Sequence, residues 1–140
     1  MPVRLSECGA WPHPPRLPLG GGWDGHCTAP GYVGAIPEHE HLHEGCNLGY
    51  AAACPKLPSE RRWDAVRLGI AREERAQVIL NFVCERDHRP VDYGRLRFDL
   101  SSSSWTEAHP DPRIQRMAEC LLQAHLSRSG RATDLTTHRV

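Results

Sequence analysis

The chain has no apolar run approaching the ~18 consecutive residues of a membrane-spanning helix, which excludes an integral helical membrane protein. An excess of charge of one sign is also missing. Lys+Arg and Asp+Glu number 17 each in 140 residues, so the basic footprint of a generic nucleic-acid binder is lacking. Lysine occurs once, at Lys56, beside 16 arginines, a skew read as genome composition rather than function. Only nine residues are aromatic, enough for a modest core and no more. There is no P-loop, dinucleotide fingerprint or Gly-x-Ser-x-Gly. There is no Cys-x-x-Cys either, so the chain is not a standard zinc finger or ribbon.

Residues 1–8 show no positively charged region followed by an apolar stretch, so no secretory signal is expected and a cytoplasmic location is. In a reducing compartment six cysteines do not make three disulfides. They are packed hydrophobes, reactive groups or metal ligands.

What the chain does have is two compositional halves. The first 58 residues hold four of the six cysteines, five of the nine histidines, nine of the 12 prolines and nine of the 12 glycines. Trp11-Pro12-His13-Pro14-Pro15 cannot be helix interior, because each proline removes a donor and restricts the residue before it. Residues 1–58 are therefore expected as a Pro/Gly-rich, metal-stapled segment without regular structure. A segment of that composition buries too little surface to hold itself together unless it lies on a partner or is stapled.

Residues 59–130 read as a small antiparallel sheet with one helix, and 131–140 as a tail. Val66, Leu68 and Ile70 alternate with Arg67 and Gly69, and Val78, Leu80, Phe82 and Cys84 share one face of the next run. After a breaker at His88-Arg89-Pro90, Leu96, Phe98 and Leu100 alternate again. Three strands are expected, at 64–72, 76–86 and 94–100, followed by a polar linker at 101–104. The rival is one long helix over 60–86, which the alternation and Gly69 disfavour. Asp111 can cap a helix with Pro112 in its first position, and Ile114, Met117, Ala118, Leu121, Leu122 and His125 or Leu126 supply its apolar stripe. The fold class is thus α+β: a loop-rich Cys/His segment, a β-meander and a C-terminal amphipathic helix over 111–128. Cys84 and Cys120 fall on apolar faces and read as core.

The chemistry concentrates between Cys27 and Cys54, where three cysteines and three histidines fall within 28 residues. Thiolate and imidazole donors suit a borderline divalent ion in tetrahedral geometry. The expected ligand set is Cys27, His43, Cys46 and Cys54, with Cys8, His39 and His41 as alternates, and the expected metal is Zn²⁺. An iron–sulfur cluster on the four N-terminal cysteines is the alternative, with Cys54-Pro55 echoing a ferredoxin Cys-Pro. The 18, 18 and seven residues between those cysteines lack the tight loop that wraps a cluster.

His39-Glu40-His41-Leu42-His43 also matches H-E-x-x-H, in which Glu40 would be the general base of a zinc hydrolase. Pro37 and Gly45 confine it to about two turns with little apolar stripe. A catalytic zinc needs an open position in a walled pocket, and few aromatics are available to build one. The favoured reading is a non-catalytic zinc-binding interaction module or accessory subunit. A protein partner is expected rather than nucleic acid, because residues 59–140 carry a net charge of only +2 and their arginines read as a solvated, salt-bridged face. Electron transfer in a redox complex is the role if the metal is a cluster.

Overall fold

Two tight turns and a run of alternating apolar residues build the main sheet. In the computed structural model, which describes residues 2–6, 13–48, 54–57 and 62–130, strand β3 spans Ala65–Glu74, β4 Gln77–Arg86, β5 Arg89–Asp99 and β6 Ser104–Glu107. They pair antiparallel in the order β3-β4-β5-β6. The first two turns place both central residues at positive φ, Arg75 (50°) and Ala76 (63°), then Asp87 (51°) and His88 (62°). That left-handed pair matches the twist of the flanking strands and closes a two-residue hairpin. The 60–86 helix is thereby excluded over its described part.

The meander differs from the expected one in two places. His88-Arg89-Pro90 is not a break: His88 completes the turn and Pro90 lies in β5, beside the register shift between Cys84 and Glu85. A bulge is where a missing N–H disturbs the ladder least. The polar linker ends one residue early, since Ser104 opens β6, whose Trp105 packs edge-on against Phe98 at 5.3 Å.

Helix α2, Pro112–Arg128, begins as its sequence dictates, with Asp111 accepting from the Arg113 N–H and Pro112 in the first turn. Ile114, Ala118, Leu121, Leu122 and Leu126 join Val78, Leu80, Phe82, Cys84, Leu96 and Phe98 in one core. Of the two sequence candidates at the end of the stripe, Leu126 is the buried one, and His125 Nε2 instead meets Glu73 of β3 at 2.6 Å. Burial exceeds a single stripe: Cys120 and Ala124 are also covered, as is the Arg116–Glu119 pair at 3.6 Å. On the opposite sheet face the arginines are matched to carboxylates, Arg67 to Glu85, Arg72 to Glu74 and Arg97 to Glu107.

The chain divides into two compact units, Met1–Arg61 and Arg62–Val140. The first has more regular structure than its composition promises. Strand β1 (Pro2–Leu5) pairs antiparallel with β2 (Trp23–Gly25). A short helix α1, His39–His41, continues as a wider π-type turn through Leu42–Asn47, marked by the Leu48 N–H bonding back five residues to His43. Such pieces are too short for periodicity to reveal them.

Candidate functional site

The first unit is organised by polar contacts more than by apolar ones. Trp23, 2% exposed, is its one buried large apolar side chain among the described residues. Buried Asn47 holds that point: its Oδ1 accepts the Trp23 N–H at 2.6 Å, and its Nδ2 donates to the carbonyls of Trp23 (3.0 Å) and Leu42 (2.9 Å). The amide acts as a strand partner for one residue of β2, tying the end of the π-type turn to the strand that leads to Cys27. Nothing in the sequence singles out Asn47, because its role depends on a partner 24 residues away.

Three short segments then come together, each carrying one cysteine. Cys27 closes a loop by exchanging backbone bonds across it, its N–H donating to the Ala35 carbonyl (2.7 Å) and its carbonyl accepting from Gly34 (2.9 Å). Gly31 and Gly34 supply the positive φ angles, 83° and 87°, that the loop requires. The Ala29 N–H donates to Cys27 Sγ at 3.4 Å and fixes its direction. Cys46 sits in the π-type turn. Cys54 precedes the turn at Pro55-Lys56, where the Lys56 ammonium lies 5.1 Å from the centre of the Tyr32 ring in the Cys27 loop.

The result is an electrostatic neighbourhood shared by three thiols. Cys46 keeps an exposed surface, yet its thiol is pushed above the usual range. Partial loss of water is the main cause, the Cys54 and Cys27 sulfurs add to it, and Lys56 opposes them. Cys27, Cys46 and Cys54 are in no disulfide. Among the described residues no three His, Cys, Asp or Glu side chains are gathered as a ready ligand shell; the thiols are neighbours, not a closed tetrahedron.

His39, Glu40 and His43 are exposed on the α1 segment. His41 is half-buried, with its ring against the Gly45 backbone; a Cβ at position 45 would stand 3.1 Å from the ring. Cys8 lies outside the described residues. Cys84 and Cys120 are fully buried.

A second feature, which sequence reasoning missed, lies in the Arg62–Val140 unit. β6 is short and pairs only with residues 97–99 of β5, so among the described residues the first part of β5 has no outer neighbour in the sheet. There a cleft of about 680 Å³ opens between Arg62-Trp63, the middle of the sheet, and residues 108–113. Phe82 forms part of its floor because Gly94, its partner on β5, has no side chain; a Cβ there would lie 3.0 Å from the ring. His109 stands at right angles to Phe82 with ring centres 4.7 Å apart. Below the floor the Cys84 thiol is pushed up by burial and then by the Asp92 and Asp111 carboxylates, with Arg62 opposing. The residues of this cleft are scattered over five parts of the chain, and no local pattern marks them.

No protein-family model matches the chain, and no curated protein or solved structure is similar to it.

Proposed function

We propose that this protein is a cytoplasmic, zinc-organised interaction module or accessory subunit, with a non-catalytic ion held by Cys27, Cys46 and Cys54 and completed by a histidine, His43 first. The observation that carries this reading is that thiols from three separate segments are electrostatic neighbours, in a unit whose described residues bury one large apolar side chain. A Cys46 thiol whose ionisation is disfavoured by burial and by two neighbouring sulfurs gains most from a cation that offsets it. Zinc does so, displacing the thiol protons as it binds. Binding would draw the 42–47 and 54–57 turns together until these neighbours become ligands.

The partner is proposed to be a protein. Beside Cys27, the same loop exposes Tyr32 (45%), Val33 (77%) and Ile36 (84%). Adjacent exposed apolar side chains on a stapled loop are the composition of an interface anchor.

Elemental analysis of protein purified without added metal is the test. About one zinc per chain is expected, lost in Cys46→Ser and Cys54→Ser but kept in Glu40→Gln, since Glu40 is no ligand in this site. Iron with acid-labile sulfide in its place would move the reading to a cluster and electron transfer. Absence of both overturns it.

A further inference from the structure

We infer that the cleft beside β5 binds a small planar anion: an aromatic or heterocyclic ring bearing a phosphate or carboxylate. Its volume, about 680 Å³, lies within the range of small-ligand sites, roughly 300–1,000 Å³. Its polar groups are unevenly matched. On the far face of the same sheet Arg67, Arg72 and Arg97 each have a glutamate partner. Arg62 and Arg113, which line the cleft, are in no salt bridge among the described residues, although Asp92 and Asp111 line it too. Asp111 is already engaged: its carboxylate accepts from the Arg113 N–H at 2.9 Å and so occupies the amino end of α2. The guanidinium groups, not the helix end, are therefore the available anion partners, and a guanidinium holds phosphate or carboxylate with two parallel donors.

The ring requirement comes from the walls. Trp63, Phe82 and His109 give the cleft three aromatic surfaces, and Arg62 lies 4.5 Å over the Trp63 ring, which extends a flat, cationic face. The lip is also held in advance. His109 Nδ1 accepts the Asp111 N–H at 2.9 Å, and the His109 N–H donates to Gln115 Oε1 at 2.8 Å. A ligand then finds a preformed site and loses little by ordering it. The Asp92 carboxylate, which also lines the cleft, accepts from an amino or hydroxyl group on the ligand.

The test is calorimetric titration of the full chain with a nucleoside monophosphate, the parent nucleoside, inorganic phosphate and an aryl carboxylate. Saturable binding of the monophosphate or the aryl carboxylate is expected, about tenfold or more tighter than either nucleoside or phosphate alone, since each charged hydrogen bond and each stacked ring contributes on the order of a factor of ten. Whichever anion wins names the headgroup. Arg62→Ala/Arg113→Ala, both at exposed positions, is expected to weaken binding at least tenfold with an unchanged melting temperature. A variant that melts early is replaced by Arg62→Gln/Arg113→Gln and read the same way. No saturable binding of either ring-bearing anion, phosphate alone binding as tightly, or equal affinity in the folded variants overturns the inference.

Discussion

Asn47 ties two distant segments of the first unit together. Its amide makes three hydrogen bonds in a buried setting, two to one residue of β2 and one within its own turn. Asn47→Ala leaves the Trp23 N–H without its side-chain acceptor and takes a donor from two carbonyls, which costs on the order of 2 kcal/mol. Asn47→Asp restores the acceptor for Trp23 N but turns a lone-pair oxygen toward the two carbonyls, so it is expected not to rescue. Both variants should lower zinc affinity without removing a ligand, because Cys46 and Cys27 are brought near each other through this side chain. Hydrogen exchange at the Trp23 amide, read beside a zinc competition titration, checks both parts. Unchanged protection at Trp23 in Asn47→Ala would show that the amide is incidental.

Elements differ in how plainly the chain announces them. β3 and β4 are legible because Val66, Leu68 and Ile70 face Cys84, Phe82 and Leu80 in register, and a period of two is visible wherever one face is buried. α2 is legible from Asp111, Pro112 and its stripe. β6 is not, since Ser104-Trp105-Thr106-Glu107 is too short to show a period. β1 and β2 are hidden for the same reason among prolines and glycines. The cysteine cluster was legible as composition, whereas its assembly through Asn47, Lys56 and Tyr32 depends on contacts distant in sequence.

Cys84 tests the core of the sheet through pH. Its thiol is held above the ordinary value of 9.0, first by burial and then by Asp92 and Asp111. The folded state therefore binds this proton more tightly than the unfolded state does. The stability it confers is fully present below the ordinary value and is lost as pH rises through the raised one. Cys84→Ala, which costs about 1 kcal/mol at neutral pH through lost packing, removes that dependence. In urea titrations the gap between the parent and Cys84→Ala should be widest near neutrality and narrow above pH 9.0. A gap that stays constant through the alkaline range would show that the thiol does not titrate with folding.

At the scale of the whole molecule the two units rest on different physics. The Arg62–Val140 unit buries a continuous set of strand and helix side chains, among them Val78, Leu80, Phe98, Ile114, Leu122 and Leu126, each at most 2% exposed. Among its described residues the Met1–Arg61 unit buries Trp23 and the Asn47 amide. Apolar burial at roughly 25 cal/mol per Å² offsets little of the ordering of so many residues when one large described side chain carries it, so polar contacts or a metal must supply more. If the proposed zinc site supplies it, its free energy of binding is folding free energy for the first unit alone. Removing zinc with a strong chelator should then abolish amide protection over residues 23–47 while β3, β4, β5 and α2 keep theirs, and re-adding zinc should restore it. Acidification should mimic the chelator, because protons compete for thiolate and imidazole ligands. Hydrogen exchange resolved along the chain separates the outcomes. Loss of protection in both units together would make the fold one cooperative body, and protection over 23–47 that survives chelation would mean that the polar contacts around Asn47 suffice without a metal.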